Sequence, residues 1–101
     1  FDRRTWRDLP PAERAARLWA FSDLILGHLD EFAELEVLDN GMTMPMARGT
    51  VTSCANSLRY YAGMVQKLHG QSTDLSGGGR ELLAYTSSEP VGVVAAITPW
   101  N

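Results

Sequence analysis

Glu89-Pro90-Val91-Gly92-Val93-Val94-Ala95-Ala96-Ile97-Thr98-Pro99-Trp100-Asn101 is the stretch that decides how the chain is read. Between its two prolines the run is almost wholly apolar, built from small or β-branched side chains, and polar and apolar residues do not alternate along it. A strand with one wet face would alternate, so this run reads as a strand buried on both faces, the kind that sits in a parallel sheet covered by helices. In open parallel sheets, ligands gather just past the carboxyl ends of the strands. Here that end is Thr98-Pro99-Trp100-Asn101.

The rest of the chain sets bounds on what such a strand can belong to. The 101 residues, 45% of them apolar, are enough for one modest domain. A net charge of -3, with the nine basic residues scattered, gives no footprint for nucleic acid or an anionic membrane. One cysteine, Cys54, rules out an internal disulfide framework and fits a reducing compartment. No run approaches the ~18 apolar residues of a membrane span, and the first residues do not form a signal peptide. A cytoplasmic protein is expected. The missing initiator Met and the abrupt end at Asn101 suggest a piece of a longer chain.

At the N-terminus, Arg3, Arg4, Trp6 and Arg7 lie close together; Arg beside Trp can bind nucleotides or stack on the surface. Nothing glycine-rich or acidic sits nearby to complete a site, which favours the surface reading. Pro11 suits a first helical position, and Glu13 suits the positive end of the helix dipole. Leu18, Phe21, Ile25, Leu29 and Phe32 then recur at helical spacing, widened by Trp19, Leu24 and Leu26 into a stripe for more than one neighbour. Gly27 weakens the helix and Asp30-Glu31 can cap a fresh turn, so a break is expected between Gly27 and Asp30. The second part ends at Asp39-Asn40-Gly41, where glycine supplies a left-handed terminator. Glu31, Glu34, Glu36 and Asp39 read as a solvated face, because no His sits among them at metal-ligating spacing.

Met42 to Gly49 is expected to be a loop or a short turn, with Pro45 disfavouring helical geometry at Met44. A second long helix should follow, capped by Thr50 or Thr52 and ended by Gly70, with His69 in its last turn. Val51, Cys54, Leu58, Tyr61, Val65 and Leu68 would form its buried face, with Ala55 and Ala62 beside them and Tyr60 also packed. On that face the Cys54 thiol would act as a small apolar group and not as a nucleophile. Beyond Gly70 the texture turns to short extended pieces. Gln71–Leu75 and Glu81–Ser88 flank Ser76-Gly77-Gly78-Gly79-Arg80, which predicts a β-hairpin. A phosphate-binding glycine loop is the competing reading, but it needs a helix afterwards, and Leu82-Leu83-Ala84-Tyr85-Thr86 favours a strand.

Three separated motifs resemble the NAD(P)-dependent aldehyde dehydrogenase superfamily. They are Phe32-Ala33-Glu34-Leu35-Glu36-Val37-Leu38-Asp39-Asn40-Gly41, then Leu58-Arg59-Tyr60-Tyr61-Ala62-Gly63 with Lys67-Leu68-His69-Gly70, and finally the pattern from Glu89 to Asn101. The first departs from the family at Met42, where Lys is common. The resemblance implies an α/β fold made of N-terminal long helices, a projecting β-hairpin and the first buried strand of a Rossmann-like dinucleotide-binding domain, incomplete within this chain. It divides the chain into a helical part of the nucleotide-binding domain at 1–70, a hairpin of the oligomerisation region at 71–90, and a truncated first core strand at 91–101.

The chemistry implied is oxidation of an aldehyde to a carboxylic acid with NAD or NADP. In the family a cysteine thiolate attacks the aldehyde, hydride leaves for the cofactor, and a glutamate activates the water that releases the acid. Of that catalytic set the resemblance assigns only Asn101, as the side-chain amide that donates to the oxyanion. Ile97, Thr98, Pro99 and Trp100 match residues that line the cofactor cleft. Without the resemblance Asn101 would read as a turn or capping residue. Some members hold an alkali cation near the position of Asp39, but no metal site is assigned here, because the remaining ligands are only partly within this chain. The implied partners are a small aldehyde substrate and further copies of the chain, in a homodimer or homotetramer joined through the hairpin region. A different class of function, a non-catalytic assembly unit built on the hairpin and helices, is also compatible with these residues.

Overall fold

The computed structural model describes residues 4–98, and its order is α1 (Pro11–Gly27), α2 (Leu29–Asn40), α3 (Met44–Met64), β1 (Ser72–Asp74) and β2 (Leu83–Tyr85). Pro11 opens α1 as expected, and the Glu13 and Arg14 N–H groups donate to the Pro10 carbonyl at 3.0 and 3.1 Å. The expected break falls at His28, whose backbone leaves helical geometry at φ -113° and ψ 24°. The Phe32 N–H donates back to the His28 carbonyl at 3.0 Å and starts α2. No side chain caps α2, and His28 Nδ1 instead meets Glu31 Oε2 at 2.9 Å. At the far end Gly41 takes φ 76°, a left-handed backbone that L side chains adopt only with strain, and its N–H donates to the Val37 carbonyl.

The third helix differs from its expected bounds at both ends. It begins at Met44, not after Thr50, with extended Thr43 as its N-cap and Pro45 in the first turn. The N–H groups of a first turn have no intrahelical partner, so proline's missing donor costs nothing there. The helix ends at Met64, well before Gly70, leaving His69 exposed and outside any helix. Gly70 has another reason to be glycine. A Cβ there would run into the Thr86 carbonyl, which lies against it because Gln71 and Thr86 are joined by bonds of 2.8 Å from each backbone N–H.

Packing follows a seam of small residues, one step away from the expected stripe on α3. Ala47, Val51, Ala55 and Ala62 are buried, whereas Cys54 and Tyr61 are exposed. Tyr60 is exposed as well and meets the Tyr61 ring edge to face at 5.3 Å. Alanine lets backbones come close, so the helices meet where side chains are shortest and the larger ones turn outward. Opposite this seam α1 contributes Ile25 and fully buried Ser22, whose Oγ donates to the Ala55 carbonyl at 2.9 Å. Leu26, Leu29 and Leu58 close over the cluster. Ala33 of α2 is also fully buried, and α2 is pinned to α3 where Arg48 Nε meets Asp30 Oδ1 at 2.9 Å. Across the α1–α3 pair Arg59 reaches Asp23 at 2.6 Å while its guanidinium lies 5.1 Å from the Trp19 ring centroid. Such partly exposed ion pairs contribute about 0–1 kcal/mol each.

The hairpin forms as expected. β1 and β2 are antiparallel, with Ser72, Thr73 and Asp74 opposite Tyr85, Ala84 and Leu83. The expected strand at 91–98 is not observed: these residues are in no ladder, and Val93 and Ile97 are 99% and 98% exposed. A parallel strand finds its partners a dozen or more residues away, after a crossover. Among the described residues the only sheet is the β1–β2 pair, and 91–98 does not join it. The result is an elongated chain of 68 × 27 × 24 Å with a radius of gyration of 20.0 Å, against about 13 Å for a compact domain of this size.

The seam predicts which face of α3 bears stability. Ala55→Leu should cost about 1–3 kcal/mol through overpacking and loss of the Ser22 approach. Cys54→Ser, one residue away but exposed, should stay within about 0.5 kcal/mol. Urea unfolding followed by circular dichroism compares the two, and equal losses would place the packing face elsewhere.

Candidate functional site

The site residues expected from sequence are consecutive, so their placement depends on one segment. Ile97 and Thr98 are described and exposed, in no helix and without ladder partners. Pro99, Trp100 and Asn101 lie outside the described residues. The structure therefore brings Ile97 and Thr98 to no other functional side chain. Neither residue lines the hollows beside Trp6. As they stand, the described residues do not form a cradle that fits a dinucleotide.

What the structure does bring together is the N-terminal segment and the stretch leading into 91–98. Arg4, Trp6 and Arg7 face Pro90, Gly92 and Val93 across a hollow of about 250 Å³. A second hollow, of about 510 Å³, continues from Trp6 and Arg7 past Arg14 and Leu18 to Val65, Leu68 and Glu89. Arg14 ties the segment down by donating to the Arg7 carbonyl at 3.0 Å. The sequence carries no signal for this meeting, because the two stretches are some eighty residues apart and neither shows a pattern that requires the other. Its effect is positional: the strand-like segment leaves the helical body beside the start of α1.

The other candidates resolve from their geometry. The glycine run closes the hairpin as a two-residue turn in which Gly78 and Gly79 have φ 57° and 77°. Gly77 and Arg80 exchange both backbone bonds at 3.1 Å. Two positive φ angles in succession suit the right-handed twist of a hairpin, and glycine takes them without strain. No helix follows, so the N–H groups of this loop do not form a phosphate cradle. Glu31, Glu34 and Asp39 are exposed, and Glu36 accepts from Asn40 Nδ2 at 2.8 Å. Among the described residues no group of His, Cys, Asp and Glu is placed to hold a metal ion. Cys54 stands exposed on α3, and among the described residues no base is hydrogen-bonded to its thiol.

One carboxylate shows a definite electrostatic bias. Hydrogen bonds to Asp74 from Ser76, through its side chain and its backbone, hold the Asp74 carboxyl below the ordinary aspartate value. The backbone bond, Ser76 N–H to Asp74 Oδ1, is 2.8 Å. Ser76 Oγ in turn accepts from the Leu82 N–H at 3.2 Å, so this small network buttresses the turn.

The comparisons with known proteins agree with one another. A family model described as "Aldehyde dehydrogenase family" matches residues 2–101. A protein of Aspergillus niger named "Aldehyde dehydrogenase" is 40% identical over 97 residues, which is 96% of this chain and 19% of that protein. Its namesake in Emericella nidulans is 42% identical over 96 residues, 95% of this chain and 19% of the relative. The chain thus spans about one fifth of the length of the curated relatives it matches.

The Asp74 network predicts a titration. A carboxyl whose folded pKa is depressed supports the turn above its unfolded pKa, and that support is lost as pH falls through the folded value. In carboxyl-detected NMR, Asp74 should titrate below an unstructured aspartate, and Ser76→Ala should move its midpoint upward. A midpoint that ignores the substitution would remove Ser76 as the cause.

Proposed function

The chain belongs to the aldehyde dehydrogenase family, and from that membership we propose that the whole protein oxidises an aldehyde to a carboxylic acid. NAD or NADP would accept the hydride in that reaction. The observation that carries this reading is the match along residues 2–101, which includes the whole run from Glu89 to Asn101. Within the reading, Asn101 donates its side-chain amide to the oxyanion that forms when the aldehyde carbon becomes tetrahedral. A neutral donor suits that task, because it is oriented before charge develops and adds no repulsion. An aspartate there would oppose the oxyanion with a like charge. Pro99 fixes φ just before Trp100 and Asn101 and so helps to aim the amide. Ile97, Thr98 and Trp100 would line the cofactor cleft once the segment from Val91 is flanked by neighbouring strands of a Rossmann-like domain.

The hairpin's share in the proposal is assembly, as a homodimer or homotetramer. In support, Leu82, Leu83 and Tyr85 expose large apolar surface beside β1, and an exposed apolar strand is costly unless another surface covers it. The small aldehyde is then the only other partner proposed, and the cytoplasm is the proposed compartment.

For the oxyanion role, Asn101→Ala in the full-length enzyme should cost about 2–4 kcal/mol of transition-state stabilisation, and Asn101→Asp at least as much. Single-turnover hydride transfer should fall while NAD(P)+ affinity stays near that of the parent, with thermal melts to show that the variants fold. Strongly weakened cofactor binding with hydride transfer unchanged at saturation would overturn the assignment. The 101-residue chain alone should form no NADH from aldehydes, since Cys54 has no base placed to serve it. Activity abolished by Cys54→Ser would contradict this.

A further inference from the structure

The turn that ends α2 carries a reactive dipeptide whose chemistry the fold restrains. Asn40 is the last residue of the helix, and Gly41 follows it in the left-handed conformation. In an Asn-Gly pair the glycine nitrogen is the nucleophile best placed to attack the neighbouring side-chain amide, because no side chain shields it. Here both reacting groups are held. The Gly41 N–H is engaged by the Val37 carbonyl at 3.0 Å. The Asn40 amide is clamped at both ends: its Nδ2 donates to Glu36 Oε2 at 2.8 Å, and its Oδ1 accepts from the Met42 N–H at 3.0 Å. Reaction requires all three bonds to open so that the amide carbon can swing over the Gly41 nitrogen.

We propose that Asn40-Gly41 is a site of spontaneous deamidation gated by fraying of the last turn of α2, with Glu36 as the residue that guards it. In the frayed turn the Gly41 nitrogen attacks Asn40 Cγ, a new N–C bond forms, and the glycine amide proton goes to the departing Nδ2, which leaves as ammonia. Water then opens the five-membered imide at either carbonyl, giving an aspartyl residue or an isoaspartyl linkage at position 40. No electrons are exchanged. The product lacks the Nδ2–H donor to Glu36 and places a negative charge beside the Glu36 carboxylate at the negative end of the helix dipole, where anions are unfavourable. Reversible fraying thus becomes permanent, and the α2–α3 turn does not re-form as before.

The test uses peptide mass mapping of the full-length protein aged at mildly alkaline pH, with isoaspartate detection and Asn56-Ser57, in the middle of α3, as internal reference. Conversion at Asn40 should be at least about tenfold faster in urea-unfolded chain than in native chain, the ratio being set by the opening free energy of a helix end. Glu36→Ala should accelerate it severalfold in the native chain, while Glu36→Gln, which keeps an acceptor oxygen, should stay near the parent. In the parent alone, at rising sub-denaturing urea, conversion should increase in proportion to hydrogen exchange of the Gly41 amide, a measurement that needs no variant to fold. Equal rates in native and unfolded chain, or conversion independent of Gly41 exchange, would overturn the gating. A Glu36→Ala rate equal to that of the parent would remove Glu36 as the guard.

Discussion

The bond from Ser22 Oγ to the Ala55 carbonyl marks the constraint on which the helical body depends: α1 and α3 must come close enough for a side chain as short as serine to span the gap. That is possible only because Ala55, fully buried, presents a methyl group where α1 arrives. A hydroxyl buried without a partner would cost about 1–3 kcal/mol, so the bond matters less for the energy it adds than for the approach it permits. Ile25 and Val51 pack beside it, and Leu26, Leu29 and Leu58 close over them. The turn at Gly41 then returns the chain so that Ala33 of α2 can be buried while Arg48 of α3 reaches Asp30.

This close approach explains which expectations from sequence were met. Pro11, the break at Gly27 to Asp30 and the stop at Gly41 are local effects, set by backbone chemistry at single residues, and they appear where the sequence places them. The buried face of α3 was not legible in the same way. Periodicity counts large apolar side chains, and Leu58, Tyr61 and Leu68 drew the stripe toward Cys54. Val51, Leu58, Ala55 and Ala62 do meet the core, but Cys54 and Tyr61 turn outward, and the closest approach is made by a serine on α1 that such a pattern treats as polar. Pro45 restricts Met44, which argues for a loop, yet proline is at home in the first turn of a helix and α3 starts there. The hairpin, with a glycine run between two strand-like stretches, depends on local rules and is legible in its turn and pairing, though its strands are shorter than the stretches that suggest them.

The large apolar residues that the seam does not use remain outside. Phe21, Leu24, Leu35 and Leu38 all stand more exposed than covered on α1 and α2, as Tyr60 and Tyr61 do on α3. Fully burying such a side chain contributes about 1.5–3 kcal/mol, so several of them form a reserve of stabilisation that the described residues leave unused. The width of the first helical stripe already asked for more than one neighbour. The structure supplies one of these, α3, and the faces it leaves open are those that a compact domain of the ordinary radius would cover.

The segment at 91–98 leaves apolar surface uncovered in the same way. Its β-branched residues disfavour a helix, and Pro90 prevents the hairpin from simply running on into it, so extended backbone is the local preference even without a partner. What it lacks is a ladder, and that lack is a matter of sequence distance. The strands of the hairpin meet across a two-residue turn, whereas the parallel pairing expected of 91–98 from its sequence would need a crossover. The meeting of Trp6 and Arg7 with Pro90 acts upstream of that pairing, since it fixes where the segment departs from the helical body. The N-terminal arm and the start of α1 thus fix where the segment departs from the helical body, and within the proposed function that departure point is what the arm contributes to the placement of Ile97 and Thr98.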